Sequence, residues 1–234
     1  MKEAVSDLIK KVRIAIDEIT KGNDDDFVTD ADTEIQNAIE TSANQILLEA
    51  PDDFLLPVPV STVVGDAAND YDAAQTQYTD GHGSVVVPDD FLKLFEFRLK
   101  SWQSTVRELM KRGSEEVKMQ ASRWSRGTPQ KPKAILTVDG EGNRIIMYWT
   151  AGRYQYPNSA DLSYVYNHTI DVFTYIPKPE IIDVTSDQTT EPTLKAALNY
   201  AAEKNLIYRT ASIFLEGKKE HNLSDRMYAI SKIY

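Results

Sequence analysis

Apolar residues recur at spacings of three and four near both ends of this chain and alternate in its middle. Val5, Leu8, Ile9, Val12, Ile16 and Ile19 make one stripe, which predicts a helix over 2–21 ended by Gly22. Beyond the acidic loop Asn23 to Asp26, Thr29 or Asp30 can cap a second helix to residue 50 that presents Ile35, Ala38, Ile39, Ala43, Ile46 and Ala50. The two stripes are expected to pair. Pro51 stops the second helix, Pro57 and Pro59 continue extended, and the Gly-, Ala-, Asp- and Asn-rich stretch 61–83 reads as a surface loop. Leu92, Leu94, Glu96 and Arg98 alternate with Phe91, Lys93, Phe95, Phe97 and Leu99, predicting a strand with an aromatic face. Over 104–122 the apolar positions are interrupted by Gly113, which predicts a helix or an irregular segment. Two β-rich runs around Asp139-Gly140-Glu141-Gly142-Asn143 predict a hairpin over 133–150, and 168–176 reads as a further strand closed by Pro177 and Pro179. Pro192 suits the first turn of a helix running through Leu194, Leu198, Ala201, Tyr208 and Leu215. The last stripe is Leu223, Met227, Ile230 and Tyr234, beyond a hinge at Gly217 to Glu220.

Helices, then strands, then helices give an α+β class. The expected arrangement is one domain over 1–215, with a helical bundle from 1–56 and 190–215 and an inserted antiparallel β-rich region at 83–180. Residues 216–234 are expected to form a C-terminal helical arm. Pro51-Asp52-Asp53-Phe54-Leu55 recurs as Pro88-Asp89-Asp90-Phe91-Leu92, and nothing outside the pentapeptide matches. It reads as one local turn used twice, in which the proline presets φ and the carboxylates face the turn's N-terminus.

Charge changes sign twice along the chain. Residues 1–92 hold 5 Lys and Arg against 20 Asp and Glu, residues 93–133 hold 11 against 4, and residues 134–234 hold 10 against 12, for a net −10. A subunit polarised in this way can set its basic belt against the acidic flank of an identical neighbour, which favours head-to-tail association. The chain has no cysteine, which excludes disulfides, thiol nucleophiles and Cys-ligated zinc and agrees with folding in a reducing cytoplasm. Met1 leads straight into the first amphipathic pattern, so no signal peptide or membrane span is expected.

Motifs for chemistry are few. His82, His168 and His221 stand in unrelated contexts, Gly81-His82-Gly83-Ser84 lacks nucleophile-elbow spacing and reads as a flexible loop, and there is no P-loop or dinucleotide fingerprint. The Asp24 to Asp32 cluster lacks the ligand positions of an EF-hand, and helix-start acidity accounts for it. A hydrolase working through His82 and Asp80 is a distant alternative. A nearer one is a nucleic-acid-binding module on the 98–133 belt, where Lys111, Arg112, Lys118, Arg123, Arg126, Lys131 and Lys133 interleave with Trp102 and Trp124. Against it stands a sequence pI near 4.8.

Four segments in order carry a resemblance: Thr41 to Pro51 (TSANQILLEAP), Val87 to Leu94 (VPDDFLKL), Trp124 to Pro132 (WSRGTPQKP) and Phe173 to Pro177 (FTYIP). Together they resemble the head-to-tail adaptor (ring) proteins of tailed phages, in particular the portal-proximal ring proteins of crAss-like phages. The Ala196 to Ala202 run resembles those adaptors' last long helix. The resemblance implies a virion structural protein of the capsid–tail junction, made in the host bacterial cytoplasm, with neither active site nor cofactor. Its implied partners are itself in a dodecameric ring, the portal, and a distal tail or second ring protein. DNA passes through the ring without specific binding, past a wall whose acidity repels phosphate. On this reading Arg107, Arg112, Arg123 and Arg126 meet carboxylates of a neighbouring subunit, and Leu223, Met227, Ile230 and Tyr234 form an arm that docks on the portal.

Overall fold

A computed structural model describes residues 1–20, 31–60, 76–79, 82–122, 124–155, 164–186 and 189–233. They form two compact units, Met1–Leu56 with Pro177–Tyr234 (unit 1) and Pro57–Ile176 (unit 2). The class is α+β, with the long helices in unit 1 and most strands in unit 2.

Unit 1 opens with β1 (Lys2–Ala4), α1 (Val5–Thr20) and α2 (Asp32–Glu49). Thr29 and Asp30, the expected caps, lie outside the described residues. Asp32 and Glu34 occupy the first turn of α2, where carboxylates meet the positive end of the helix. Ala50 leaves the helix extended (φ −64°, ψ 144°), the conformation that a residue before proline favours. The repeated pentapeptide opens on the same turn twice, since the N–H of Phe54 donates to the carbonyl of Pro51 at 3.0 Å and that of Phe91 to the carbonyl of Pro88 at 3.0 Å, but the first copy goes on as a short 3-10 helix and the second as a strand.

The helix expected from Pro192 does not begin there. β11 (Glu180–Ser186) and β12 (Thr189–Lys195) form an antiparallel hairpin, and β1 completes a sheet of order β1-β12-β11. Pro192 pairs with Asp183, and β1 covers only Thr193 to Lys195, so no second neighbour asks Pro192 for the N–H it lacks. The alanine-rich run is not a long helix either. Leu198 bridges Leu55, the N–H of Asn199 donates to the carbonyl of Phe54 at 2.9 Å, and its Nδ2 donates to that of Asp53 at 2.9 Å. These ties override alanine's helix propensity until α4 (Glu203–Gly217).

Helix α4 is the common neighbour of α1, α2 and α5 (His221–Ser231), and α1 and α2 meet α4 more broadly than they meet each other. Leu8, Ile35, Ile39, Leu47, Leu206 and Ala211 are buried among these helices. The expected hinge is a defined reversal. Lys219 takes a left-handed conformation (φ 65°), and the N–H of Glu220 donates to the carbonyl of Leu215 at 2.9 Å, which closes the end of α4. Helix α5 therefore returns onto α4 instead of standing off as an arm. Met227 is fully enclosed, and Oγ of Ser212 donates to the carbonyl of Ser224 at 3.0 Å.

Unit 2 holds a sheet of order β2 (Val58–Pro59), β10 (Ile170–Pro177), β5 (Phe91–Leu99) and another of order β3 (Thr76–Thr79), β4 (His82–Val86), β7 (Arg144–Trp149), β6 (Lys133–Val138). β8 (Gly152–Gln155) and β9 (Tyr164–Asn167) pair separately. The hairpin expected over 133–150 is β6–β7, in register from Lys133↔Trp149 to Val138↔Arg144. Its turn is held by Asp139, whose Oδ1 accepts from the N–H groups of Glu141 and Asn143 at 2.9 and 2.8 Å. The Asn143 side-chain amide also donates to Asp139, holding its carboxyl below the ordinary range. Along β5 strict alternation fails: Phe91, Leu94, Phe97 and Leu99 are buried and no residue of the strand is exposed, so both faces are covered. An aromatic cluster fills the core, with Phe97 5.5 Å from Trp102, 5.6 Å from Tyr148 and 5.5 Å from Phe173 between ring centroids.

Two stretches read as loop are strands here. β3 and β4 fall inside 61–83 and its Gly-His-Gly-Ser extension, so unit 2 begins at Pro57 and not at residue 83. Gly83 is in β4 because the fully buried Tyr148 crosses over it: a Cβ there would sit 2.1 Å from Tyr148 Oη, whereas at Gly140 it would meet nothing within 4 Å. Gly83→Ala is expected to destabilise unit 2 by about 1–3 kcal/mol and Gly140→Ala by much less. Urea unfolding followed by tryptophan fluorescence checks this, since all three tryptophans lie in unit 2.

Candidate functional site

The basic belt of unit 2 folds as a long loop tied to its unit at many points. From its first half, Val106 exchanges both backbone hydrogen bonds with Phe97 at 2.9 Å, and the N–H of Met110 donates to Ala134 at 2.9 Å. The 104–122 segment is thus mostly irregular, with one short helix α3 (Glu115–Met119). From its second half, the N–H of Gln103 donates to Pro129 at 2.8 Å and Oγ of Ser104 to the carbonyl of Gln130 at 2.5 Å.

Between these anchors the loop is braced from inside. Gln120 is buried, donates through Nε2 to the carbonyl of Glu116 at 2.7 Å and accepts at Oε1 from the N–H of Gly127 at 2.7 Å. Oγ of Ser125 donates to the carbonyl of Met119 at 2.8 Å. At Gly127 the backbone runs so close to Trp149 that a Cβ would lie 2.7 Å from the Trp149 carbonyl oxygen. Arg126 Nη1 lies 2.7 Å from His82 Nε2, and the His82 ring stands edge-on to Trp149 with centroids 5.9 Å apart. A guanidinium only donates, so His82 Nε2 offers a lone pair and its ring proton sits on Nδ1.

This scaffold carries Trp124 into solvent at 95% exposure. Met119, at 49%, and the exposed Lys118 share the same stretch. No Asp or Glu occurs from Lys118 to Lys133. A large apolar ring held out by a braced loop whose charges from Lys118 onward are all cationic is built for contact, since indole left in water forfeits its burial energy.

The expected residues divide accordingly. Arg107 and Arg112 are exposed and form no ion pair with any described residue. Arg126 is half-buried and committed to His82, and Arg123 lies outside the described residues. Trp102 belongs to the core, where Nε1–H donates to the carbonyl of Thr150 at 2.9 Å, so it offers no stacking face. In α5, Met227 is buried and Leu223 and Ile230 are half-buried against unit 1, while Tyr234 is outside the described residues. The stripe assigned to portal docking is thus already in use in unit 1. For the hydrolase alternative, Asp80 lies outside the described residues, and His82 spends Nε2 on a guanidinium, leaving that nitrogen no lone pair for a proton while the bond stands.

Sequence reading passed over Gln120 and the Arg126–His82 pair. Nothing local signals the first, whose burial is set by the fold, and 44 residues separate the members of the second.

Among the described residues no group of three metal-ligating side chains is assembled, and no helix is long and apolar enough to cross a membrane. No protein-family model matches the chain, and no curated protein matches it.

Proposed function

We propose that this protein is a head-to-tail adaptor: a virion structural subunit that forms a ring below the portal, joins capsid to tail and extends the DNA channel. The observation that carries the reading is the division of charge between two bodies. Unit 1 has 13 Lys and Arg against 22 Asp and Glu, a net −9, while unit 2 is near neutral and gathers its cations on the loop that displays Trp124. A closed ring needs a heterologous seam between unlike patches of identical chains, and this subunit has them. The four ordered segments that resemble those of adaptor proteins supply the tailed-phage context. An image of the virion neck with this subunit labelled tests the reading: label in a ring at the capsid–tail junction supports it, and label elsewhere overturns it.

One observation favours a nucleic-acid-binding module instead, namely an exposed Trp124 flanked in sequence by Arg123 and Arg126, the composition of a base-stacking platform. If the loop is a subunit contact, the free protein is expected to bind duplex or single-stranded DNA no tighter than about 10⁻⁶ M at physiological salt, the nonspecific range. Submicromolar, steeply salt-dependent binding would reverse the order of the two readings.

A further inference from the structure

Unit 1 contains a cavity of about 340 Å³. Pro51, Phe54 and Ile233 give it apolar walls, and Ile233 is 78% exposed, a large side chain left in water at the rim. Its polar side is Glu49 and Arg209, with Lys232 engaged over the Tyr228 ring at 4.5 Å. Arg209 is only 5% exposed, sits over the Tyr228 ring at 4.6 Å and is paired with Glu49. Its buried Nε has no acceptor among the described residues. Glu49 lines the cavity, and the exposed Asp52 and Asp53 lie in the turn between its lining residues Pro51 and Phe54, which puts carboxylates beside it.

Unit 1 thus has a cavity with both apolar and charged walls and carboxylates beside it, and unit 2 has an exposed indole on a cationic loop. We infer that Trp124 of one copy seats in the Pro51–Phe54–Ile233 cavity of the next, which makes the seam heterologous and self-propagating; this rests on the ring reading above. The volume is many times the roughly 30 Å³ share of a water molecule, room for one indole. Aromatic anchors in desolvated pockets carry most of the energy of such contacts. An indole entering here meets a guanidinium already stacked on one aromatic ring, a partner that binds π faces. Around the ring, the exposed Lys118 comes opposite Glu49, Asp52 and Asp53, which sets register and excludes the reverse docking.

The test uses the full chain and two surface variants, Trp124→Ala, which removes the indole, and Ile233→Lys, which takes away an apolar wall and puts a cation against the incoming loop. Both positions are exposed, so folding is spared. Sedimentation velocity over a concentration series should show the wild type associating beyond a dimer and each variant associating about thirtyfold more weakly, the loss of a hot-spot anchor. Mixed together, the two variants should form dimers and nothing larger, because only one intact indole faces one intact cavity. Trp124→Ala assembling like the wild type overturns the inference, and so does a mixture that stays monomeric. A wild type that stays monomeric throughout also overturns it, since indole and cavity both stand formed in the free chain. The adaptor reading is judged separately, by whether the labelled subunit lies in the virion neck.

Discussion

Truncation after Gly217 is expected to lower the stability of unit 1 by on the order of 5 kcal/mol, the largest effect foreseen here. Helix α5 goes, and with it Met227, whose side chain is fully enclosed; losing a buried methionine alone costs about 2–5 kcal/mol. The buried hydroxyl of Ser212 loses the Ser224 carbonyl, and Arg209, itself on α4, loses the Tyr228 ring it sits over. The alternative, a detachable arm kept for the portal, expects a truncated protein as heat-stable as the whole. Thermal melting by far-ultraviolet circular dichroism separates the two, because every long helix among the described residues belongs to unit 1. An unchanged melting temperature would mean that α5 contributes nothing to its own unit. Met227→Ala is the milder companion and should lower the same transition by about 2–5 kcal/mol.

The sequence was most legible where one local signal acted without competition. The i, i+3, i+4 stripes of α1 and α2 and the Asp139 to Asn143 turn between β6 and β7 are such signals, and each element lies within a few residues of its expected place. Misreadings arose where a residue type has two structural uses and tertiary packing chooses between them. Proline fits a helix's first turn or a position without a second strand neighbour, and at Pro192 the shortness of β1 decides for the strand. Glycine marks a flexible loop or a close approach, and at Gly83 the Tyr148 ring, 65 residues along the chain, decides for the latter. The same holds for the site. Trp102 and Trp124 stand in similarly basic neighbourhoods, yet one is 5% and the other 95% exposed. Periodicity within the loop could not tell them apart, because the loop has none: its shape comes from Gln120, Ser125 and Arg126 bonding across turns and to β4.

His168 is expected to make unit 2 acid-labile over a defined window. It is 7% exposed, and its Nδ1 lies 2.9 Å from Oη of the fully buried Tyr148. Burial lowers its pKa to about 4 from an ordinary value of 6.5. The imidazole is therefore neutral in the folded protein where the unfolded chain already binds a proton. Below pH 6.5 the unfolded state takes up more protons than the folded one, so stability must fall as pH falls. The contribution is complete above pH 6.5 and is lost progressively down to about pH 4, where the folded form protonates too. Its full span is on the order of 3 kcal/mol, at about 1.4 kcal/mol per unit of pKa. Carboxylates titrate in the same range, so the reference is His168→Gln, which keeps an amide for Tyr148 and carries no proton. Urea unfolding by tryptophan fluorescence should find the wild type more stable than His168→Gln near neutrality, with the gap shrinking by about 3 kcal/mol on acidification to the lower end of the window. A gap that stays constant with pH would mean that His168 is free to protonate in the folded core, and the buried Tyr148–His168 pair would then have no part in acid unfolding.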